Sequence, residues 1–283
     1  MSGLRDFFIR PATLQPGEPG LLHSVPIEQG GWSIGFDVRR LMPGEVWQGS
    51  TGDHESAIVV LSGVVSVDWG HGPQTIGKRA NVFAGFPYVA YLPCGTSFEV
   101  RAETIAELAE SRAASTLPLQ PRLYAPADLG SEVRGGGVTT RQIVRIIRPE
   151  AAADKLMINE VFTPGGNWSS YPPHKHDTQL PPDEFKLDEL YYFRVDHPDG
   201  YGLLRLYDAA GTDDAAFTIR DGDLVLLKEG YHTVAAAPGY AVYYLAVLAG
   251  PVRSLTARTD PKYDHLRTGL GLPDPRMPVV VLD

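Results

Sequence analysis

The sequence predicts an all-β protein built as two antiparallel β-sandwich or jelly-roll barrels, with few short helices. Three observations carry this expectation. Apolar runs of strand length recur along the 283 residues, separated by Gly or Asp turns. The composition holds 30 Gly and 24 Pro, which favours turns over helices. The strand pattern also occurs twice, on either side of a stretch that contains Pro118, Pro121, Pro126 and Gly135-Gly136-Gly137. The expected domains are therefore residues 1–130 and 131–283.

The elements follow in order. Residues 32–38 alternate apolar with small or polar side chains, and 57–61 and 64–69 flank Ser62-Gly63, a hairpin signal. Runs at 81–83, 89–92 and 97–102 come next, the last with Phe98 and Val100 on one face. Residues 104–113 set Ile105, Leu108 and Ala109 on one helical face, so a helix is expected there, with strand at its start as the alternative. The second series comprises 140–147, 156–162, 189–195, 201–207, 217–220, 223–227, 232–236 and 242–248.

Charge and cysteine content exclude several functions. The net charge is −9 and no Lys/Arg-rich run is present, which argues against nucleic acid as a partner. A single cysteine, Cys94, rules out a disulfide within the chain and fits a reducing compartment. The opening residues Met1 to Asp6 lack the apolar core of a signal peptide, and the longest apolar stretch, 240–249, is too short to cross a bilayer. A soluble, cytoplasmic protein with no membrane partner is expected.

The chemistry concentrates in three places. Tyr171-Pro172-Pro173-His174-Lys175-His176-Asp177 sets two imidazoles two residues apart. On a strand such residues share a face, roughly 7 Å apart at the backbone, so both rings can meet one ion. Asp188-Glu189 then opens an apolar run, and Gly230-Tyr231-His232 adds a third imidazole. Glu184, Asp188 and Glu189 compete as the carboxylate ligand. Glu189 is the choice because its face continues through Tyr191, Phe193 and Val195. The expected set, His174, His176, Glu189 and His232, suits a divalent Zn, Mn, Fe, Co or Ni ion with positions left open. His23, His54, His71, His197 and His265 lack such company and read as ordinary loop or surface residues. The first half has no His-x-His, and Thr51 and Asp53 stand at its candidate positions, so its barrel is expected to be metal-free. Residues 178–187, stiffened by Pro181-Pro182, form a loop able to fold over the site, while Lys175 faces away from the imidazoles.

These residues resemble the cupin metal motifs, with two departures. The gap between His-x-His and Glu is stretched, and Lys228-Glu229 replace the usual Pro before the second-motif Gly. A narrower resemblance absorbs both. The run Asn167 to Asp177, then Glu189-Leu190-Tyr191-Tyr192-Phe193-Arg194, Gly230-Tyr231-His232 and Tyr243-Tyr244-Leu245 look like the 5-deoxyglucuronate isomerases of inositol catabolism. So do Arg79-Ala80-Asn81-Val82-Phe83, Tyr91-Leu92-Pro93, and Arg134-Gly135-Gly136-Gly137 ahead of Arg141. Ala246 stands where family members often carry Asn.

The resemblance implies a bicupin aldose–ketose isomerase. Its reaction is the conversion of 5-deoxy-D-glucuronate, a small anionic sugar acid, to 5-dehydro-2-deoxy-D-gluconate. Alternatives are the sister 5-keto-4-deoxyuronate isomerases of pectin breakdown, a metal-dependent cupin dioxygenase, and a sugar-binding bicupin without turnover. Glu184 and Tyr243 are the candidate proton-transfer residues, and Arg205 and Lys228 the candidates for the substrate carboxylate, with Arg194 as a further option. Cupins commonly associate, so a homo-oligomer is expected.

Overall fold

A computed structural model describes residues 8–9, 20–28, 31–267 and 271–282. The strands begin with β1 (Phe8–Ile9), β2 (Leu21–Val25), β3 (Gly35–Leu41), β4 (Val46–Ser50), β5 (His54–Ser62) and β6 (Val65–Asp68). They continue with β7 (Gln74–Ile76), β8 (Val89–Leu92), β9 (Ser97–Ala102), β10 (Ala106–Ala114) and β11 (Arg122–Tyr124). The second half holds β12 (Gly130–Arg134), β13 (Arg141–Ile147), β14 (Met157–Thr163), β15 (Trp168–Lys175), β16 (Asp188–Val195) and β17 (Gly202–Tyr207). It ends with β18 (Asp214–Ile219), β19 (Leu224–Leu227), β20 (Tyr231–Ala236), β21 (Val242–Ala249) and β22 (Arg258–Thr259). Helical structure among the described residues is limited to 3-10 turns at Pro126–Asp128, Gly137–Thr139 and Pro261–Leu266. No helix is long and apolar enough to cross a membrane.

Two compact units result. One comprises the described residues of Pro11–Leu129, Ile146–Met157 and Val280–Asp283; the other β1, Gly130–Arg145 and Ile158–Val279. A cut between 130 and 131 therefore leaves β1 and Ile146–Met157 in the half that does not hold them. Strand β1 pairs with β19, and the buried Glu55 carboxylate accepts the backbone N–H groups of Asp154, Lys155 and Leu156 at 2.6–2.7 Å. Neither contact leaves a periodic mark in the sequence.

The N-terminal unit pairs a six-stranded sheet, β11-β8-β5-β10-β3-β2, with a four-stranded sheet, β4-β9-β6-β7. Its core draws Leu41, Ile58, Val60 and Leu108 from the first and Val65, Val67, Phe98 and Val100 from the second. The helix expected over 104–113 is instead strand β10, paired with β3 on one edge and β5 on the other. Its Ala-, Glu- and Leu-rich composition favours helix, but burial and pairing on both edges override that preference.

The C-terminal unit repeats the plan with a seven-stranded sheet, β1-β19-β16-β21-β14-β13-β12, and a five-stranded sheet, β18-β17-β20-β15-β22. Pro172 and Pro173 lie within β15. Proline supplies no N–H to a ladder, and the register with β20 shifts between Ser169 and His174. Ser170 takes a left-handed backbone conformation there, φ 53°. Pairing resumes at His174, which stands directly across from His232.

Candidate metal centre and its cavity

The pairing of His174 with His232 turns two distant motifs into neighbours, with ring centroids 4.6 Å apart. His176 lies just past the end of β15, its ring 6.2 Å from that of His174 and 5.3 Å from that of His232. Glu189 reaches the same point from β16 on the other sheet. Its Oε2 is 2.8 Å from His176 Nε2 and 3.4 Å from His232 Nε2. Donor atoms of His176, Glu189 and His232 all lie within 4.8 Å of one another, and His174 stands beside them. Asp188 precedes Glu189 on the strand and projects to the opposite face.

The hydrogen bonds fix how these groups point. His176 Nδ1 is 3.1 Å from the Leu187 carbonyl oxygen, which can only accept, so Nδ1 carries the proton. In the neutral ring Nε2 then aims a lone pair at the Glu189 carboxylate. Two lone pairs at that distance call for a cation, either a proton or a metal ion. His232 Nε2 is buried without a hydrogen-bond partner beside the same oxygen.

Electrostatics follow this arrangement. Burial, and then the neighbouring His232 and His176, push His174 well below the ordinary imidazole value. Burial also opposes charge on His176, but its hydrogen bond to Glu189 outweighs that and raises it. Burial disfavours the Glu189 carboxylate, yet contacts with His176 and His232 hold it well below the usual carboxylate range.

His174, His176 and Glu189 line a cavity. The remaining lining includes Arg134, Arg141 and Arg145 on β12 and β13, Asn159 and Val161 on β14, and Tyr191 and Tyr244. Glu189 is the only carboxylate among the described lining residues. The hydroxyls of Tyr191 and Tyr244 meet at Ser170 Oγ, at 3.3 and 3.2 Å. Burial raises both phenols, so each keeps its proton.

Five candidate residues singled out in the sequence, Glu184, Tyr243, Arg205, Lys228 and Arg194, lie elsewhere. Glu184 is fully buried, but both carboxylate oxygens bind Lys175 Nζ, at 2.8 and 3.0 Å, and one accepts the Thr178 N–H. It secures the 178–187 loop and does not line the cavity. Lys175 is correspondingly buried rather than solvated. Tyr243 occupies the face of β21 opposite Tyr244 and donates to Glu160 at 2.9 Å. Arg205 forms a two-pronged pair with Asp214, at 3.0 and 2.6 Å, and covers the Tyr207 ring. Lys228, like Arg205, is absent from the cavity lining. Arg194, the further option, pairs with Asp221 at 2.8 Å.

Comparison with known proteins gives this arrangement its context. A sequence model of the KduI/IolB family matches residues 7–266. The chain belongs to the KduI/IolB family. Within it, the chain is 40% identical over 252 residues to a 5-deoxy-glucuronate isomerase of Geobacillus thermodenitrificans, covering 88% of this chain and 92% of that one. It is 35% identical over 238 residues to one of Listeria monocytogenes, covering 82% and 87%. Among solved structures, an IolB-like protein from Salmonella typhimurium superposes with a TM-score of 0.86 at 33% identity, over 92% of this chain and 98% of that one. A variant of Bacillus subtilis oxalate decarboxylase superposes with a TM-score of 0.65 at 12% identity, over 89% and 79%. That likeness concerns fold alone, the two-barrel cupin fold expected from the sequence.

The run Arg134-Gly135-Gly136-Gly137 ahead of Arg141 gains a location here that the sequence did not supply. Residues 141, 143 and 145 alternate onto one face of β13, and Arg134 pairs directly with Arg141. The alternation is legible in the chain; the register that joins it to Arg134 is not.

Proposed function

We propose that this KduI/IolB member is a 5-deoxy-D-glucuronate isomerase that forms 5-dehydro-2-deoxy-D-gluconate and requires a divalent metal ion. The observation that carries the reading is the convergence of three imidazoles and one carboxylate, with His174, His176 and Glu189 lining a cavity, in a chain whose relatives bear that enzyme's name. His174, His176, Glu189 and His232 are the proposed ligands. The donor set fits: His176 Nε2 and Glu189 Oε2 face each other, and His232 Nε2 has no other buried partner.

Bound there, the ion supplies Lewis acidity that polarises a substrate carbonyl and its neighbouring hydroxyl. The protein's own groups do the remaining work. The Leu187 carbonyl holds the His176 tautomer and ring orientation. Tyr191 and Tyr244 retain their protons and donate hydrogen bonds to substrate oxygens as charge develops on them, with Ser170 linking the two phenols. Leu187 and Leu248 line the same wall and keep water from it. The N-terminal barrel is assigned no metal, and the working form is proposed to be a cytoplasmic homo-oligomer.

Metal analysis alongside an isomerase assay on 5-deoxy-D-glucuronate tests the reading, with wild type compared to His174→Ala. Wild type is expected to hold one transition metal per chain, and both chelation and the substitution to abolish turnover. Activity that survives either treatment, or oxygen uptake in place of isomerisation, rejects it.

A further inference from the structure

The cavity has a second polar wall that the ligand set does not use. Arg134 and Arg141 stand directly opposite each other on β12 and β13, and Arg145 lies four residues further along the same face. Like charges directly opposite in a ladder repel. Among the described residues, the only carboxylate paired with them is Glu132, which takes both Arg134 and Arg145, at 2.7 and 2.8 Å. Arg141 makes no side-chain hydrogen bond or ion pair with any described residue, although it is half-buried. On the neighbouring strand β14, Asn159 lines the same cavity, is buried, and its Oδ1 has no hydrogen-bond partner. Three guanidiniums against one carboxylate leave an excess of positive charge at this wall, in a chain whose net charge is −9. Partial desolvation lowers the Arg134 guanidinium, and so do Arg141 and Arg145, despite Glu132.

We infer that Arg141, flanked by Arg134, Arg145 and Asn159, is the anchor for the carboxylate of the sugar acid. The inference rests on the isomerase reading above and names the end of the substrate that the metal ligands leave unaddressed. Sheet order supports the distance. Strands β13, β14, β21 and β16 are consecutive neighbours, so Arg141 and Glu189 are separated by three strand spacings, about 14 Å between backbones. Both side chains line the one cavity, so an open-chain acid can meet the metal ligands with its aldehyde and Arg141 with its carboxylate. Ile143 and Val161 line the cavity near the arginines and offer an apolar surface to the unsubstituted carbon beside the carboxylate.

The anchor gives planar, two-pronged recognition that lysine cannot reproduce. The test uses the metal-loaded full chain and two substrates: 5-deoxy-D-glucuronate and the corresponding neutral aldose, with CH2OH in place of the carboxylate. Arg141→Gln is expected to raise KM for the acid about 10- to 100-fold. KM for the neutral aldose and bound metal per chain stay at wild-type values, and Arg141→Lys recovers part of the loss. An unchanged KM for the acid, or an equal loss for both substrates, overturns the anchor.

Calorimetric binding of the acid separates this inference from the isomerase reading. If wild type binds the acid without turning it over and R141Q does not bind it, the anchor stands and the isomerase reading falls. If R141Q binds as tightly as wild type, or wild type binds no acid, the anchor falls.

Discussion

The interiors of the two barrels differ in how their charges are satisfied. In the N-terminal barrel, Asp37, Arg39, Ser56, Glu110 and Arg112 share the strand faces that carry Leu41, Ile58 and Leu108 into the core. There, Arg112 binds Asp37 at 2.7 Å and Glu110 at 2.6 Å, Ser56 donates to Glu110 at 2.8 Å, and Arg39 lies 3.5 Å from Asp37. Two acids meet two guanidiniums, and the cluster neutralises itself. In the C-terminal barrel, among the described residues, Arg141 has no counter-ion, Asn159 Oδ1 has no donor, and His232 Nε2 has no hydrogen-bond partner. The first cluster balances its charge, although Asp37 Oδ1 there has no hydrogen-bond partner; the second leaves a guanidinium whose counter-ion a bound anion can supply.

Removing Arg112 gives the sharpest test of this contrast. Arg112→Met leaves Asp37 and Glu110 facing each other without their shared cation. The expected cost is about 3–5 kcal/mol of folding stability, read by urea unfolding. Metal content and kcat/KM of the folded fraction should match wild type. A selective rise in KM for the acid would instead make the N-terminal interior a ligand site and erase the distinction.

A smaller effect is expected from Glu184, whose role separates loop anchoring from proton transfer. Glu184→Gln weakens its double contact with Lys175, which keeps Asp177 and Thr178 as partners. Stability should fall by about 1–3 kcal/mol. Turnover at pH 7 should change less than tenfold, because the carboxylate is outside the cavity. A loss of kcat by several orders of magnitude would return Glu184 to the chemistry.

How far the sequence could reach depends on which interactions are periodic. His174 and His176 were legible because strand residues two apart share a face, and Glu189 because its alternating neighbours are apolar. The same parity argument also selects Tyr244 over Tyr243. Tyr244 pairs with Phe193, on the Glu189 face, but this requires the β16–β21 register. Arg205 looked available because its partner Asp214 lies on the next strand, diagonal to it across the ladder. Arg141 was hidden for the converse reason: what marks it is a partner that is missing, and composition does not record missing partners. Residues 104–113 read as helix because Ile105, Leu108 and Ala109 share a helical face, and β3 and β5 alongside make 106–114 a strand.

The smallest expected change tests how the open site is held in register. Asp177 joins the two histidine motifs: its Oδ1 binds Lys175 Nζ at 2.5 Å, and its Oδ2 accepts the Gly230 N–H at 2.8 Å, two residues before His232. Gly230 has φ 92°, and a Cβ there would come within 2.7 Å of the Tyr207 carbonyl oxygen, so the turn is already confined to one shape. Burial would raise the Asp177 carboxyl, but the Gly230 N–H and Lys175 outweigh it and lower it below its ordinary value. A carboxyl depressed on folding stabilises the protein above its unfolded value, about 3.9, and that contribution is lost as pH falls through the lower folded value. Asp177→Asn should therefore cost about 1–2 kcal/mol at pH 7, and the difference from wild type should shrink as unfolding is measured below pH 4. Metal affinity should drop about 10- to 100-fold, as for other groups that orient a ligand from behind. A difference that grows on acidification would mean the charge of Asp177 is unfavourable in the fold. An unchanged metal affinity would mean the two motifs are held together by β15 and β20 pairing alone.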